Sequence, residues 1–239
     1  MMKLTVVVLA LCLVAAEANI VKALYPGLRW GHGQNANINE YIDNTVQMLV
    51  PFIQNNGLDP MKLPDISEGF EVKPLWVTYS ALLKLHDGTM TGLVNLSRSG
   101  DQQVNYFAKM LRVKIQLRFE DLEFKYKYLV KVMNIGPTGG IVGSLNRLDV
   151  VADVLIDFNN DEIQLQQLSL TNIGRLRVKL TGNALVDWLV NPVVSVFLRI
   201  FDSTIIKEVE MTIRSVVQSA IDNINTNLKD TIARLESYN

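Results

Sequence analysis

Cysteine is all but missing from this sequence. Its 239 residues hold one, Cys12, inside an apolar run at the very start. A thiol nucleophile, a thiolate metal centre and a disulfide framework are therefore excluded for the rest of the chain. Histidine is nearly as scarce. His32 sits in a Gly-rich stretch and His86 in the turn signal His86-Asp87-Gly88, with no Cys or carboxylate at metal-ligand spacing around either. Charge of one sign is missing too: 23 Lys and Arg against 24 Asp and Glu leave a net charge of −1. That balance gives no reason to expect nucleic acid as a partner. Gly139-Gly140-Ile141-Val142-Gly143 has the glycines of a phosphate loop but not its Lys-Ser/Thr, and reads as a turn. No cofactor and no metal is called for, and the chain reads as a protein that is not an enzyme.

What is present begins with a leader. Lys3 is followed by the short apolar run Thr5 to Ala15, and Ala16-Glu17-Ala18 supplies the small residues of a cleavage site. Residues 1–18 are read as a signal peptide, and the protein as secreted and extracellular. The run is too short for a membrane span, which needs roughly 20 apolar residues. Residues 19–36, rich in Gly and Asn around Trp30, read as an irregular N-terminal arm, and residues 37–239 as a single domain. Asn95-Leu96-Ser97 is a glycosylation sequon, which on a secreted chain marks a surface position.

From Asn37, read as an N-cap, Ile38, Ile42, Val46, Leu49 and Ile53 recur at near-helical spacing. Pro51 should kink that helix, and Gly57 stands where a C-cap belongs. After Pro64 the period switches to strand. Val113 to Phe119 alternate with Arg112, Lys114, Gln116 and Arg118; Leu122 to Val132 alternate with Glu123, Lys125, Lys127 and Lys131. The phase slip at Glu120-Asp121 has no turn residue, so it reads as a bulge in one long bent strand. The turn signal Gly136-Pro137 follows, then alternation from Leu148 to Phe158, from Ile163 to Leu170 and from Leu176 to Leu180. One face of each strand is apolar and the other charged, the mark of an antiparallel sheet covering something on one side.

The helix predicted over 184–201 supplies that something. Its polar residues Asp187, Asn191, Ser195 and Arg199 form one narrow stripe and the rest is apolar, so it is expected to be buried on nearly all sides, with a restart at Pro192. A transmembrane reading would place Asp187 and Arg199 in lipid at high cost. Ile206 to Leu235 continue as an amphipathic helix.

Leu58-Asp59-Pro60-Met61-Lys62-Leu63-Pro64-Asp65, the strands after it and the stretch Leu189 to Leu228 resemble the mite group 7 allergens and their arthropod relatives. That family is similar in fold to one half of the bactericidal permeability-increasing and lipopolysaccharide-binding proteins, and is related to the juvenile-hormone-binding and takeout carriers. The resemblance implies an α+β fold of the TULIP kind: a long curved antiparallel sheet wrapped around a long C-terminal helix. It also implies a lipid or other hydrophobic small molecule held between the two. The juvenile-hormone-binding and takeout proteins carry an N-terminal cysteine pair that is absent here, which favours the group 7 branch.

The candidate cavity lining is Phe124, Tyr126, Tyr128, Val154, Ile156, Trp188, Phe197 and Phe201, with Phe158 in the same aromatic set. By spacing alone such residues are more often plain core, and it is the resemblance that raises the pocket reading. Trp188 and Phe197 are expected to point into the sheet, and the Asp187 stripe toward solvent or the cavity mouth. The cations Arg112, Lys114, Arg118, Lys125, Lys127 and Lys131, with Arg175, Arg177 and Lys179, form basic outer faces. An anionic lipid surface is one partner they suit; cross-strand ion pairs are the other reading, with Lys131 opposite Asp149 and Lys127 opposite Asp153 if the hairpin centres on Gly136-Pro137. The favoured function is a monomeric secreted carrier of a hydrophobic ligand. The alternative is a recognition protein docking on lipid surfaces.

Overall fold

Two strands of unusual length organise the fold of the computed structural model, which describes residues 34–236 apart from 38, 134, 135, 183, 184 and 186. They are β7 (Met110–Val132) and β8 (Thr138–Asp157), antiparallel along their whole length. The leader expected over residues 1–18 and most of the expected arm lie outside the described residues. Of the arm, 34–36 belong to β1 (Gln34–Asn37), paired with β6 (Gln103–Phe107), so its end is a strand rather than irregular. The ladder also takes Asn37 away from the cap position, and the first helix starts at Asn39.

The phase slip read at Glu120-Asp121 is real. Phe119 and Leu122 are both buried, and Asp121 adopts φ 55, so side-chain alternation changes phase while the strand continues. Its partner changes phase at the same place, where Leu145 and Leu148 are both buried, so the register between them is unbroken. This paired kink divides the sheet in two. Over the first half of β7, the neighbours are β6 and β5 (Leu96–Arg98) on one side and, across β8, β9 (Glu162–Thr171) on the other. Over the second half they are β4 (Tyr79–Thr91) and, across β8, β10 (Leu176–Thr181). Strands β2 (Met61–Leu63) and β3 (Ile66–Val72) pair with β4.

Two turn expectations are corrected. Gly139 to Gly143 lie within β8. A Cβ at Gly139 would run into Thr181 and the Tyr128 ring, and one at Gly143 would press on Leu176, so these glycines make room for neighbours across the strand. Gly88 does the same for the Tyr126 ring inside β4, where His86-Asp87-Gly88 forms a bulge instead of a strand end. Because β8 starts at Thr138, the hairpin register moves. Lys127 lies opposite Gly140 and Tyr126 opposite Ile141, while Asp149 and Asp153 face Arg118 and Lys114.

The helices pack on one face of this sheet. α1 (Asn39–Thr45) and α2 (Leu49–Asn55) are joined by a 3-10 turn, Val46–Met48. Pro51 has no N–H for the Gln47 carbonyl, which puts the irregular turn just before it. Gly57 (φ 67) ends α2 in a Schellman motif: its N–H donates to Gln54 O and that of Leu58 to Ile53 O. α3 (Asp187–Ile200) runs through Pro192 without a restart, a five-residue π turn (Phe201–Ile205) follows, and α4 is Ile206–Glu236. Leu189, Val193, Phe197 and Ile200, then Phe201, Ile205, Val209 and Ile213, form one buried line. Phe201 and Ile205, at the two ends of the π turn, are both buried. The stretch Asp187–Leu228 is long and apolar enough to cross a membrane by composition, a property that buried core helices share.

Candidate functional site

The paired kink also divides the core. Beyond it, over the second half of β7, the aromatic side chains stack on one another. Phe124 meets Phe201 edge-on at 5.0 Å between ring centres, and Tyr126 meets Phe197 at 6.3 Å. The Tyr126 hydroxyl donates to Pro64 O at 3.2 Å, and burial, with Asp65 and Glu208 near, pushes its pKa up. Tyr128, Phe124, Phe197 and Phe201 are all fully buried. They pack together as the core of this half of the molecule.

The other half is not filled. A cavity of about 190 Å³ lies between α1–α2, the first half of β7, the facing part of β8, and α4. Ile42, Val46 and Ile53 form one wall, Val113, Ile115 and Phe119 the sheet side, and Val217 and Ile221 the helix side. Thr45 supplies the single polar side chain among its lining residues. The void falls between two buried clusters. Phe119, Leu168 and Ile213 belong to the large one, while Val113, Val154 and Ile221 belong to a smaller one.

The expected lining residues are thus split. Val154 borders the cavity. Ile156 is buried beside it in the smaller cluster, and Phe124, Tyr126, Tyr128, Phe197 and Phe201 lie in the large one. Trp188 is turned outward and 42% exposed, contrary to the expectation that it points into the sheet. It stands eleven residues, about three helical turns, before Arg199 and shares the exposed face of Asp187, Asn191 and Ser195. Phe158, at the end of β8, is 38% exposed. Sequence reasoning missed the α1–α2 wall, whose Ile and Val residues carry no signal beyond helical spacing.

The family model of the group 7 allergens matches residues 37–221. The chain belongs to the group 7 allergen family. Mite allergen Der f 7 of Dermatophagoides farinae is 21% identical to it over 174 residues, 72% of this chain and 79% of that one. Among solved structures, lipopolysaccharide binding protein superposes with a TM-score of 0.53 at 18% identity, covering 78% of this chain. This chain spans only 39% of that protein's length. Takeout 1 of Epiphyas postvittana gives a TM-score of 0.36 at 16% identity over 81% of this chain and 91% of that one. The shared fold with lipopolysaccharide binding protein is α+β, with a multi-stranded antiparallel sheet and a long C-terminal helix.

The outer face of this family member is largely self-neutralised around the first half of β7. Asp149 is 1% exposed and accepts from Arg118 at 3.1 Å, Arg147 at 2.5 Å, Ser99 at 3.0 Å and Asn172 at 3.0 Å. Burial works to raise its pKa, but these four donors outweigh it and hold the carboxyl well below the usual range. Arg112 pairs with Asp153 at 2.6 Å, and Lys125 and Lys127 with Glu123 and Asp87. The cations of β10 and Lys131 have no ion-pair partner among the described residues. Nor do the described residues include a group of three or more side chains suited to a metal ion.

Proposed function

We propose that this protein is a secreted carrier that holds one hydrophobic small molecule, or one lipid chain, in the cavity between sheet and helices. In this reading the sheet curves around α3 and α4 as one domain over 37–239. The packed aromatic half, Phe124 and Tyr126 against Phe197 and Phe201, acts as the cavity floor. The observation that carries the proposal is the void of about 190 Å³ separating the two core clusters. A comparable apolar void of about 150 Å³ stays dry and takes up benzene-sized molecules. Removing apolar ligand surface from water then drives binding at roughly 25 cal/mol per Å² before the costs of association. With almost no polar lining, selectivity rests on length and shape. Asn95 is exposed in the turn before β5 and is proposed to carry a glycan.

The test is mass spectrometry of organic extracts from natively purified protein, with displacement of a fluorescent fatty-acid probe. A co-purifying hydrophobic compound and displaceable probe are the expected result. An empty extract together with no probe binding would overturn the carrier reading.

A second reading, docking on an anionic lipid surface, is favoured by one observation. The β3–β4 turn and the end of β7 are adjacent, because Val72 pairs with Tyr79 and Ala81 with Val132. At that end Trp76 is 90% exposed, with Val77 and Met133 also exposed and Lys73 and Lys131 beside them. Apolar tips rimmed by lysines suit a bilayer interface, and a carrier needs a place to load. The lipid-binding name of the solved relative agrees with both readings.

A further inference from the structure

On the opposite face of the sheet from Phe197, a second hollow of about 490 Å³ lies where the phase of β7 changes. Its floor is β8, presenting Ser144 and Asn146. One bank is β7, with Asp121 and Glu123; the other is β10 and the residue before it, with Arg177 and Arg175. Glu123 and Arg177 both pair with Ser144, so they face each other across one strand, about 10 Å apart at the backbone. The two side chains do not form an ion pair with each other. Glu123 is instead held by Lys125 at 2.5 Å, while Arg175, Arg177 and Asp121 have no ion-pair partner among the described residues.

We propose that this hollow binds a phosphoester bearing an ammonium group, the chemistry of a zwitterionic headgroup. The phosphate sits on Arg175 and Arg177 and the ammonium at Asp121. Two guanidinium groups on the same side of one chain, two residues apart, can converge on an oxyanion with paired N–H donors. The Arg175 N–H already donates to Asn146 Oδ1 at 2.9 Å, which orients the Asn146 amide on the floor with its N–H donors free for the ligand. A simple anion would leave Asp121 facing it unfavourably, and a simple cation would meet two guanidinium groups. A ligand with both charges satisfies both banks at once. The site is separate from the apolar cavity and does not depend on the carrier reading.

The full chain is titrated with O-phosphoethanolamine, inorganic phosphate and ethanolamine while the backbone amide signals of Ser144, Arg175 and Arg177 are followed by NMR. The zwitterion should move these signals and bind about tenfold more tightly than either half alone. Arg177→Gln should weaken it by about tenfold. Asp121→Asn, which keeps a residue tolerant of positive φ, should weaken the zwitterion but not phosphate. Phosphatidylethanolamine vesicles that bind, and are competed off by free phosphoethanolamine, assign the headgroup of a lipid; binding of the free compound alone assigns a soluble ester. Equal affinity for phosphate with no effect of Asp121→Asn reduces the hollow to a plain anion site and overturns the proposal. So does an absence of signal movement at millimolar ligand.

Discussion

The Asn225 side-chain amide closes two hydrogen bonds on the backbone of Ile163, donating to its carbonyl and accepting from its N–H, each at 2.8 Å. Ile163 lies on β9, whose only strand partner among the described residues is β8, so its outer edge is covered there by no other strand. Two more residues of α4 continue the seam. Glu210 accepts from the Leu170 N–H at 3.2 Å, and Arg214 donates to the Leu168 carbonyl. The helix therefore does for β9 what another strand would do. It also fixes α4 as one wall of the cavity.

Replacing Asn225 by Leu, of similar size, should then cost about 1–3 kcal/mol, since a part-buried N–H and carbonyl lose their partners together. Asn225→Asp is the sharper variant. A carboxylate can accept from the Ile163 N–H but repels its carbonyl, so this change should also destabilise at neutral pH, and less so once the carboxyl is protonated. Urea unfolding of both variants at two pH values checks this; a neutral Asn225→Leu would show that the seam is incidental.

Asp149 predicts the acid limb of stability. Its folded pKa is depressed, so its contribution is complete above the unfolded value near about 3.9 and is lost as pH falls below that toward the folded value. Asp149→Asn should destabilise at pH 7 by about 3 kcal/mol, because Arg118 and Arg147 lose a buried carboxylate. The same variant should have a flatter stability profile below about pH 4. Equal acid sensitivity in both proteins would place the critical carboxyl elsewhere.

How much of this was legible follows from what each residue must do. The long strands were visible because Val113 to Phe119 and Leu122 to Val132 alternate cleanly, and the slip at Asp121 could be located because two charged residues interrupt that rhythm. The first half of β8 was not visible. Gly139, Gly140 and Gly143 look like turn residues, and only the Tyr128, Thr181 and Leu176 side chains lying over them explain their presence in a strand. The outward stripe of α3 was legible at Asp187, Asn191, Ser195 and Arg199, and helical geometry alone puts Trp188 on its side; hydrophobicity argued the other way. The cavity could not be read. Its walls are Val, Ile and Leu residues of ordinary core type, and a void is a property of how they fail to meet, which no periodicity records.

Filling that void should separate a cavity from mere loose packing. Ala152 on β8 and Ala220 on α4 both border it. Introducing Phe at either position into a well-packed core would cost about 1–3 kcal/mol through strain. Into an open space the same change should be neutral or stabilising while abolishing uptake of a hydrophobic probe. Thermal unfolding and probe titration on the two variants give the answer. Loss of stability with probe binding intact would move the ligand elsewhere.

Trp76 offers a prediction in which stability and function change in opposite directions. It is 90% exposed and holds φ 72, a conformation that suits glycine and costs an ordinary side chain roughly 1 kcal/mol or more. Among the described residues nothing recovers that cost, because the indole is in solvent. Trp76→Gly should therefore leave the protein as stable or raise its stability by a few tenths to about 1 kcal/mol. If the tip docks on lipid, the same change should sharply reduce sedimentation with anionic vesicles, since Trp is the side chain best suited to the interface. Lys73→Gln with Lys131→Gln should act differently, weakening binding by about 1 kcal/mol each at low salt and by little at high salt. Unchanged vesicle binding in Trp76→Gly, measured beside its melting curve, would leave the exposed indole without a role at a membrane and would restrict loading of the cavity to soluble ligand.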